Sequence, residues 1–470
     1  MTVVSGWLGQ LLTSRVSTNP GVNTSLRRHT FEVAILRWLE FEVADLKIST
    51  EQIGALLKGI SPGVEPERFT QHFAYLAWSL MCEPGDGLAG FLVQSLGSDK
   101  ALELILHGAS AQEVYQELEQ NFDPNSEFIG EEEFQKAYAD GLERWGSRKS
   151  LAELSATLEL VRGLGGSTVS PVSSFWPAQL FDLGVHSPMV LWCRGKVANL
   201  ERLNSSIAVV GSRAISAYGH EVTAEFVAAA TAMGLIVISG GALGVDGRAH
   251  SVALATQGKT IAVMAGGVDR FYPSAHSELL HRISKEGLVI SEMPPGTAPT
   301  KWRFLQRNRL IAALSPVTLV VEANWRSGAL STARHALALE RTVIAVPGQI
   351  TSAMSVGCNQ LIRDGLAQPV IRVEDLRTYF ASDESRLFGH EGSTHIPGQA
   401  QDEIGKQVRE LGALETRAFD AIGFGAPESN EIATTAGLTR SEAHIALSSL
   451  ELEGFIVRQG SGWARSQTIV

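Results

Sequence analysis

Four cations and no acid fall within the first nine residues of KWRFLQRNRLIAAL (301–314), from Lys301 to Arg309, in a chain that holds 39 Lys+Arg against 50 Asp+Glu. A flexible cation at Lys301 and a flat ring at Phe304 are what a phosphate and an unstacked base require, and stacking of a base on an aromatic contributes about 1–3 kcal/mol without regard to sequence. Taken alone, Phe304 reads as a core aromatic. If Arg303–Leu314 is helical, its pitch puts Phe304 and Asn308 on one face, with Lys301 just ahead of the helix and within reach of the same side. Leu310, Ile311 and Leu314 then form the buried stripe, and Arg307 falls inside it, which predicts a buried structural ion pair there rather than a ligand contact.

Other segments offer related chemistry. In VVGSRAISAYG (209–219), Gly211 permits a turn that aims backbone N–H groups outward at the start of a helix, an anion site. Ser212 and Arg213 would border it, with Arg213 either pairing with a phosphate or capping local carbonyls. The motif lacks the second and third glycines of GxGxxG and has no Walker lysine, so dinucleotide or NTP binding has little support. In SGGALGVDGRAH (239–250), Gly240 and Gly241 let a ligand backbone approach; Asp246 reads either as a catalytic acid or, in preference, as a helix N-cap, and His250 as structural or on the surface. In VVEANWRSGALSTARHAL (320–337), Ser327, Gly328 and Thr332 can line a further helix N-terminus, and Glu322 is either catalytic, as in a nucleoside hydrolase, or the counter-charge of an arginine.

Positioning these residues requires a sheet. From Ile207 the chain alternates β-branched runs with amphipathic segments: IAVV (207–210), LIVIS (235–239), TIAVMA (260–265), LVISEM (288–293), TLVVEA (318–323) and TVIAVPG (342–348) each precede a helical pattern or the basic stretch. Strands alternating with helices through short loops imply a parallel sheet covered on both faces, with ligands at the carboxyl ends of its strands. All of the motifs fall at such ends. The uncharged run FVAAATAMGLIVISGGALGV (226–245) is long enough to span a bilayer, but its break at Gly234 reads as helix end followed by buried strand, so no membrane span is expected.

The totals set limits. A length of 470 residues implies two to four domains, and 44% hydrophobic with 19% charged residues suits a globular protein with a large core. A formal charge of −11 argues against nucleic acid covering the whole surface but leaves a local groove open. Cys82, Cys193 and Cys358 lie far apart without metal or disulfide spacing, so no metal site or cofactor is indicated and a reducing cytoplasm fits. MTVVSGWLGQLLTSR does not read as a signal peptide.

The expected organisation is a helical extension over 1–65, including a helix over 26–46, and an N-terminal helical domain over 66–150 with helices at 69–81 and within 84–97. A connecting segment over 151–200 packs across a sheet edge. A Rossmann-like domain over 201–376 and a polar linker over 377–410 follow, then a winged helix over 411–470 with Gly437 in its helix–turn–helix and Gly460–Ser461–Gly462 at the tip of its hairpin. The fold class is thus α/β, an extended Rossmann-like parallel sheet flanked by an N-terminal helical domain and a C-terminal winged helix.

In order, GSR, SGG…GVDGRAH, GGVDRFYP, SEMPPG, KWRFLQRNRLIAALS, VVEA…SGALSTA and AVPG…GCNQLI closely resemble the DNA processing protein A family (DprA/Smf), strongly over about residues 170–375 and more weakly in AYLAWSLM–PGD–SLG. The resemblance implies single-stranded DNA held in a positively charged pocket, a homodimer, and loading of a RecA-type recombinase during natural transformation. By motif, Arg213 and Lys301 match phosphate-contacting cations, Phe304 the stacking aromatic, and Gly240 and Gly241 backbone contacts. SGGALGVDGRAH and Trp302 depart from the family's commoner residues. The residue reading agrees: a few cations on a Gly-rich sheet edge, one ring and no nucleophile–base pair suit binding better than turnover, so no catalytic residue is assigned. If three or four phosphates are neutralised, the log–log salt slope of binding to a single strand is about −2 to −3.

Two alternatives stand beside this. One is a Rossmann-like nucleotide or nucleoside-phosphate hydrolase using Glu322 and Arg309, although the PGGxGT signature of phosphoribohydrolases is absent. The other is a transcription regulator acting through the winged helix. There TRSEAHIALSSLELEG sets Arg440 against Glu442, Glu451 and Glu453, which disfavours duplex phosphates and suggests protein contact or regulation.

Overall fold

The computed structural model describes residues 49–121, 130–146, 152–380, 412–422, 426–453 and 455–466. The helix expected over 26–46 and most of the polar linker over 377–410 lie outside the described residues. The chain divides into two compact units, one mainly before Trp176 and the other mainly from Trp192 onward.

The first unit is built from helices α1 (Thr50–Leu57), α2 (Phe69–Met81), α3 (Gly87–Leu96), α4 (Ser98–Leu106), α5 (Ala111–Asn121), α6 (Glu131–Gly146) and α7 (Ala152–Gly163), followed by strand β1 (Gly166–Val169). Helix α3 starts and stops where the sequence says it should. Asp86 caps α3 by accepting the Ala89 N–H at 3.1 Å, and Gly97 ends that helix at φ 86°. The core of this unit closes on aromatics: Trp78 meets Trp145 edge-on at 5.3 Å, and the Trp145 indole donates to Asp86 at 3.0 Å.

The second unit carries the sheet: β2 (Leu191–Gly195), β3 (Ser206–Val210), β4 (Ile236–Ser239), β5 (Thr260–Met264), β6 (Leu288–Ser291), β7 (Val317–Val320), β8 (Thr342–Ala345) and β9 (Gln368–Pro369). Their order in space is β2-β6-β5-β4-β3-β7-β8-β9. The pairs from β6 through β9 are parallel, as expected; β2 pairs antiparallel with β6. The segment 151–200, expected only to connect and to lie across an edge, therefore supplies a strand of the sheet itself. Gly195 at the end of β2 lies over the backbone of Ser284 and Gly287, which leaves no room for a side chain.

Helices α8 (Ala217–Ala232), α9 (Val245–Ala255), α10 (Ser277–Glu286), α11 (Lys301–Ala313), α12 (Gly328–Ala338) and α13 (Val356–Arg363) connect the strands, and a short α14 (Leu376–Phe380) follows β9. Ile207, Val209, Val237, Leu319 and Ile344 from the strands and Phe226, Val227, Val245 and Ala249 from α8 and α9 make one buried cluster, as continuous apolar strands require when both faces are covered. Strand order reverses between β3 and β7, the position at which open sheets of this kind leave a crevice. The uncharged run over 226–245 is the end of α8, Gly234 at φ 75°, and β4. No helix among the described residues is long and apolar enough to cross a membrane.

Beyond residue 411 lie α15 (Ala413–Ala421), α16 (Ser429–Ala436), α17 (Arg440–Leu452) and an antiparallel hairpin of β10 (Ile456–Gln459) and β11 (Gly462–Arg465). Gly437 between α16 and α17 and Gly460 at the hairpin tip have φ of 62° and 63°, conformations that favour glycine.

Candidate nucleic-acid interface

Helix α11 leaves the end of β6 and returns the chain to β7, so it crosses above β5, β4 and β3. Its entry is fixed by the loops around it: Asp269 accepts the Gly296 N–H at 2.8 Å, and Gly267 donates to Thr297 at 2.9 Å. Thr300 caps the helix by accepting the Arg303 N–H at 3.2 Å. Lys301 is therefore the first helical residue rather than a residue ahead of it. Leu310, Ile311 and Leu314 are fully buried, as the helical pitch requires.

Phe304 is half-buried, not sealed in the core. The exposed Arg213 guanidinium, from the loop after β3, lies 5.2 Å from the centre of its ring. Tyr272, from the loop after β5 and half exposed, lies 5.6 Å from the same ring at 52°. Arg307 borders it from within at 5.7 Å. The structure thus gathers residues from three strand ends around one partly exposed phenyl ring. Tyr272 was not singled out in the sequence; its only signal was its place beside Phe271 in GGVDRFYP.

Arg307 is buried, but its near partners are not a carboxylate. Its Nη1 donates to the carbonyls of Gly240, at 2.7 Å, and Val263, at 2.5 Å. Burial pulls its pKa down to about 10, with the Asp246 charge opposing and the Arg213 charge reinforcing that shift. Asp246 sits one position inside α9, whose N-cap is Gly244 at φ 82°, so the expected N-cap role is corrected. Its carboxylate instead reaches back to the glycine loop and accepts from Gly240 N at 3.1 Å and Ala242 N at 3.4 Å. Burial raises its pKa, and Arg307 and these amides oppose that. Arg307 and Asp246 together therefore knit the SGGALG loop to α11.

This knitting decides what the glycines do. A Cβ on Gly240 would fall on the Arg307 guanidinium, so that glycine makes room for a protein side chain. Gly241 has φ 68°, and its carbonyl accepts from His276 Nδ1 at 3.1 Å. His250 is structural and fully buried, bonded to Thr260 Oγ1 at 2.7 Å, with its pKa pushed down to about 3 by burial.

The GSR loop does not present a vacant anion site. Glu322, 2% exposed, accepts the Ser216 N–H at 3.0 Å and the Ser216 hydroxyl at 2.5 Å, and a Cβ on Gly219 would strike its carboxylate. The first turn of α8 already holds an anion, the protein's own. Ser212 is buried, and its hydroxyl accepts the Ala214 N–H at 3.1 Å, which shapes the loop that carries Arg213. Arg309 is held by Glu292 through two bonds of 2.7 Å.

Asn308 bridges α11 to α12: its Oδ1 accepts from Arg307 Nε at 3.3 Å and its Nδ2 donates to the Gly328 carbonyl at 3.3 Å. Ser327 caps α12 by accepting the Ala329 N–H at 3.3 Å, and Gly328 is exposed at the first position of that helix. Thr332 is buried. Of the predicted set, Lys301, Arg213 and Gly328 are thus exposed and Phe304 and Ser327 half-buried, while Ser212, Gly240, Gly241 and Asn308 are buried.

The DNA recombination-mediator protein A family matches residues 167–381. The chain is 39% identical over 342 residues to the DNA processing protein DprA of Mycobacterium tuberculosis, which covers 68% of this chain and 85% of that protein. It is 35% identical to DprA of Bacillus subtilis over 48% of this chain and 74% of that one. The crystal structure of DprA from Streptococcus pneumoniae superposes with a TM-score of 0.50 at 29% identity, over 66% of this chain and 97% of that structure.

Proposed function

Since the chain belongs to the DNA processing protein A (DprA/Smf) family, we propose that it binds single-stranded DNA without sequence preference across the exposed end of α11. The observation that carries this reading is the meeting of Arg213 and Phe304, 91 positions apart in sequence, at 5.2 Å on a partly exposed surface. A base that slides against Phe304 has Tyr272 as a second aromatic wall, and Arg213, now resting on the ring, is free to swing to the phosphate of that nucleotide. Lys301, exposed at the first turn of the same helix, serves a second phosphate.

Following the family, we assign the bound strand's further handling to loading of a RecA-type recombinase in the cytoplasm, by a homodimer, during DNA uptake. The elements beyond residue 411 fit a winged-helix module that serves protein contact or regulation. Hydrolysis is disfavoured because its two candidate residues have other engagements: Glu322 caps α8 and Arg309 pairs with Glu292.

The test is fluorescence anisotropy with labelled oligonucleotides. Phe304→Ala is expected to weaken binding by about 5- to 150-fold, the equivalent of losing one base stack, and equally for oligo-dT and mixed sequences. Arg213→Ala weakens binding as well. Unchanged affinity in both variants would refute the interface.

A further inference from the structure

The first turn of α11 is not bare. Asp420, on α15, accepts the Trp302 N–H at 2.8 Å. The Lys301 amide and the charges of Lys301 and Arg465 also favour its ionised form, although burial outweighs them and raises its pKa. The Arg417 guanidinium, one turn earlier on α15, lies 5.5 Å from the centre of the Trp302 ring. The module braces this contact from behind. Arg465 on β11 donates to the carbonyls of Phe419 at 2.9 Å and Asp420 at 3.4 Å, and Arg417 donates to the Ala436 carbonyl at 3.0 and 2.7 Å.

A carboxylate and a DNA phosphate offer the same acceptor chemistry to the amides of a helix N-terminus. We propose that Asp420 is a built-in surrogate for a phosphate, so that the C-terminal module and an entering single strand compete for the first turn of α11. The inference rests on the assignment of Lys301 and Phe304 to the strand-binding surface.

Three features fit an exchangeable contact rather than a permanent one. The contact of Asp420 with α11 centres on one short backbone hydrogen bond, at Trp302. Asp420 itself is only half-buried. The Trp302 indole Nε1 is buried at the contact without a hydrogen-bond partner, which a finished interface seldom tolerates. A strand that supplies a phosphate to Lys301 and Trp302 N would take over what Asp420 now does and leave the module free to meet another partner.

The test uses the full chain. Asp420→Asn keeps the side chain's shape and removes its charge, and it is expected to tighten oligo-dT binding by about 2- to 10-fold, the equivalent of one competing hydrogen bond. Hydrogen exchange on the unaltered protein gives a second readout: adding oligo-dT should speed exchange in the peptide over 413–422 while slowing it over 298–306. If Asp420→Asn binds no tighter and 413–422 keeps its protection, while Phe304→Ala still weakens binding, competition is wrong and the interface survives. If Phe304→Ala and Lys301→Ala both leave binding unchanged, the interface fails and the competition falls with it.

Discussion

Two helix N-termini in the sheet-bearing unit meet a carboxylate, and they differ in where it comes from. At α8 it is Glu322, just beyond β7. Strands β3 and β7 are paired with Val210 level with Val320, so the sheet itself delivers Glu322 to Ser216 at the start of the helix after β3. At α11 it is Asp420, delivered by a separate helical module. In both places an anion satisfies orphan amides and meets the positive end of the helix dipole. Glu322 accepts from both the amide and the hydroxyl of Ser216 and is 2% exposed, whereas Asp420 rests on the Trp302 amide and is half-buried. A carboxylate built into the sheet closes the crevice where strand order reverses. One carried by a module leaves the helix end available to whatever displaces it.

The largest effect should come from the fixed member of the pair. Glu322→Ala leaves the Ser216 amide and hydroxyl without an acceptor, and at about 1–3 kcal/mol for each group left unsatisfied the loss should be about 2–6 kcal/mol. Urea unfolding of the full chain measures it. Asp420→Asn should behave differently, with a change within about 1 kcal/mol, as for other half-exposed ionic contacts. The direction of its pKa fixes the sign. A carboxyl whose folded pKa is raised contributes stability in full below the ordinary aspartate range and loses it as pH rises through the raised value, so in its ionised form it adds no stability to the fold. Removing the charge should therefore leave stability unchanged or slightly higher. Equal losses in the two variants would erase the distinction.

Much of this was legible in the chain. The alternation from Ile207 onward located β3 to β8 and their helices, because buried parallel strands are short continuous apolar runs, here separated by amphipathic segments. It missed β2, since LWCRG sits among prolines and aromatics that mask so short a strand. Within the interface, Lys301, Phe304 and Arg213 were recognisable as a cation, a ring and a cation at three separate places. Their convergence was not, because it depends on α11 crossing over the sheet between β6 and β7. Glycines were the most misleading signal. Gly240 looks like a place for a ligand and turns out to accommodate Arg307, a distinction that only the position of a side chain 67 residues away can make. Asp246 and Glu322 looked chemical for the same reason that they are structural: a buried carboxylate needs N–H donors, and glycine loops and helix starts supply them. Asp420 carried no signal at all, because nothing in a short amphipathic helix 118 residues away points to Trp302.

The smallest effect sharpens the comparison by counting charges. Seen as a sequence, the basic stretch and GSR suggest three or four phosphates. The fold withdraws most of them: Arg307 and Arg309 are buried and Arg303 donates to the Ala298 carbonyl at 2.8 Å, while Lys301 and Arg213 stay exposed. Two phosphates neutralised on a single strand give a log–log salt slope of about −1.4, not −2 to −3, and Lys301→Ala should reduce it to about −0.7. Asp420→Asn supplies the contrast. If Asp420 must leave Lys301 before a phosphate arrives, part of that lysine's charge is already neutralised in the free protein, and fewer counterions are released when DNA binds. Removing the Asp420 charge should then steepen the slope while tightening binding, and that steepening should vanish in the Lys301→Ala, Asp420→Asn double variant. A slope left unchanged by Asp420→Asn would mean that the carboxylate and the phosphate do not share the lysine.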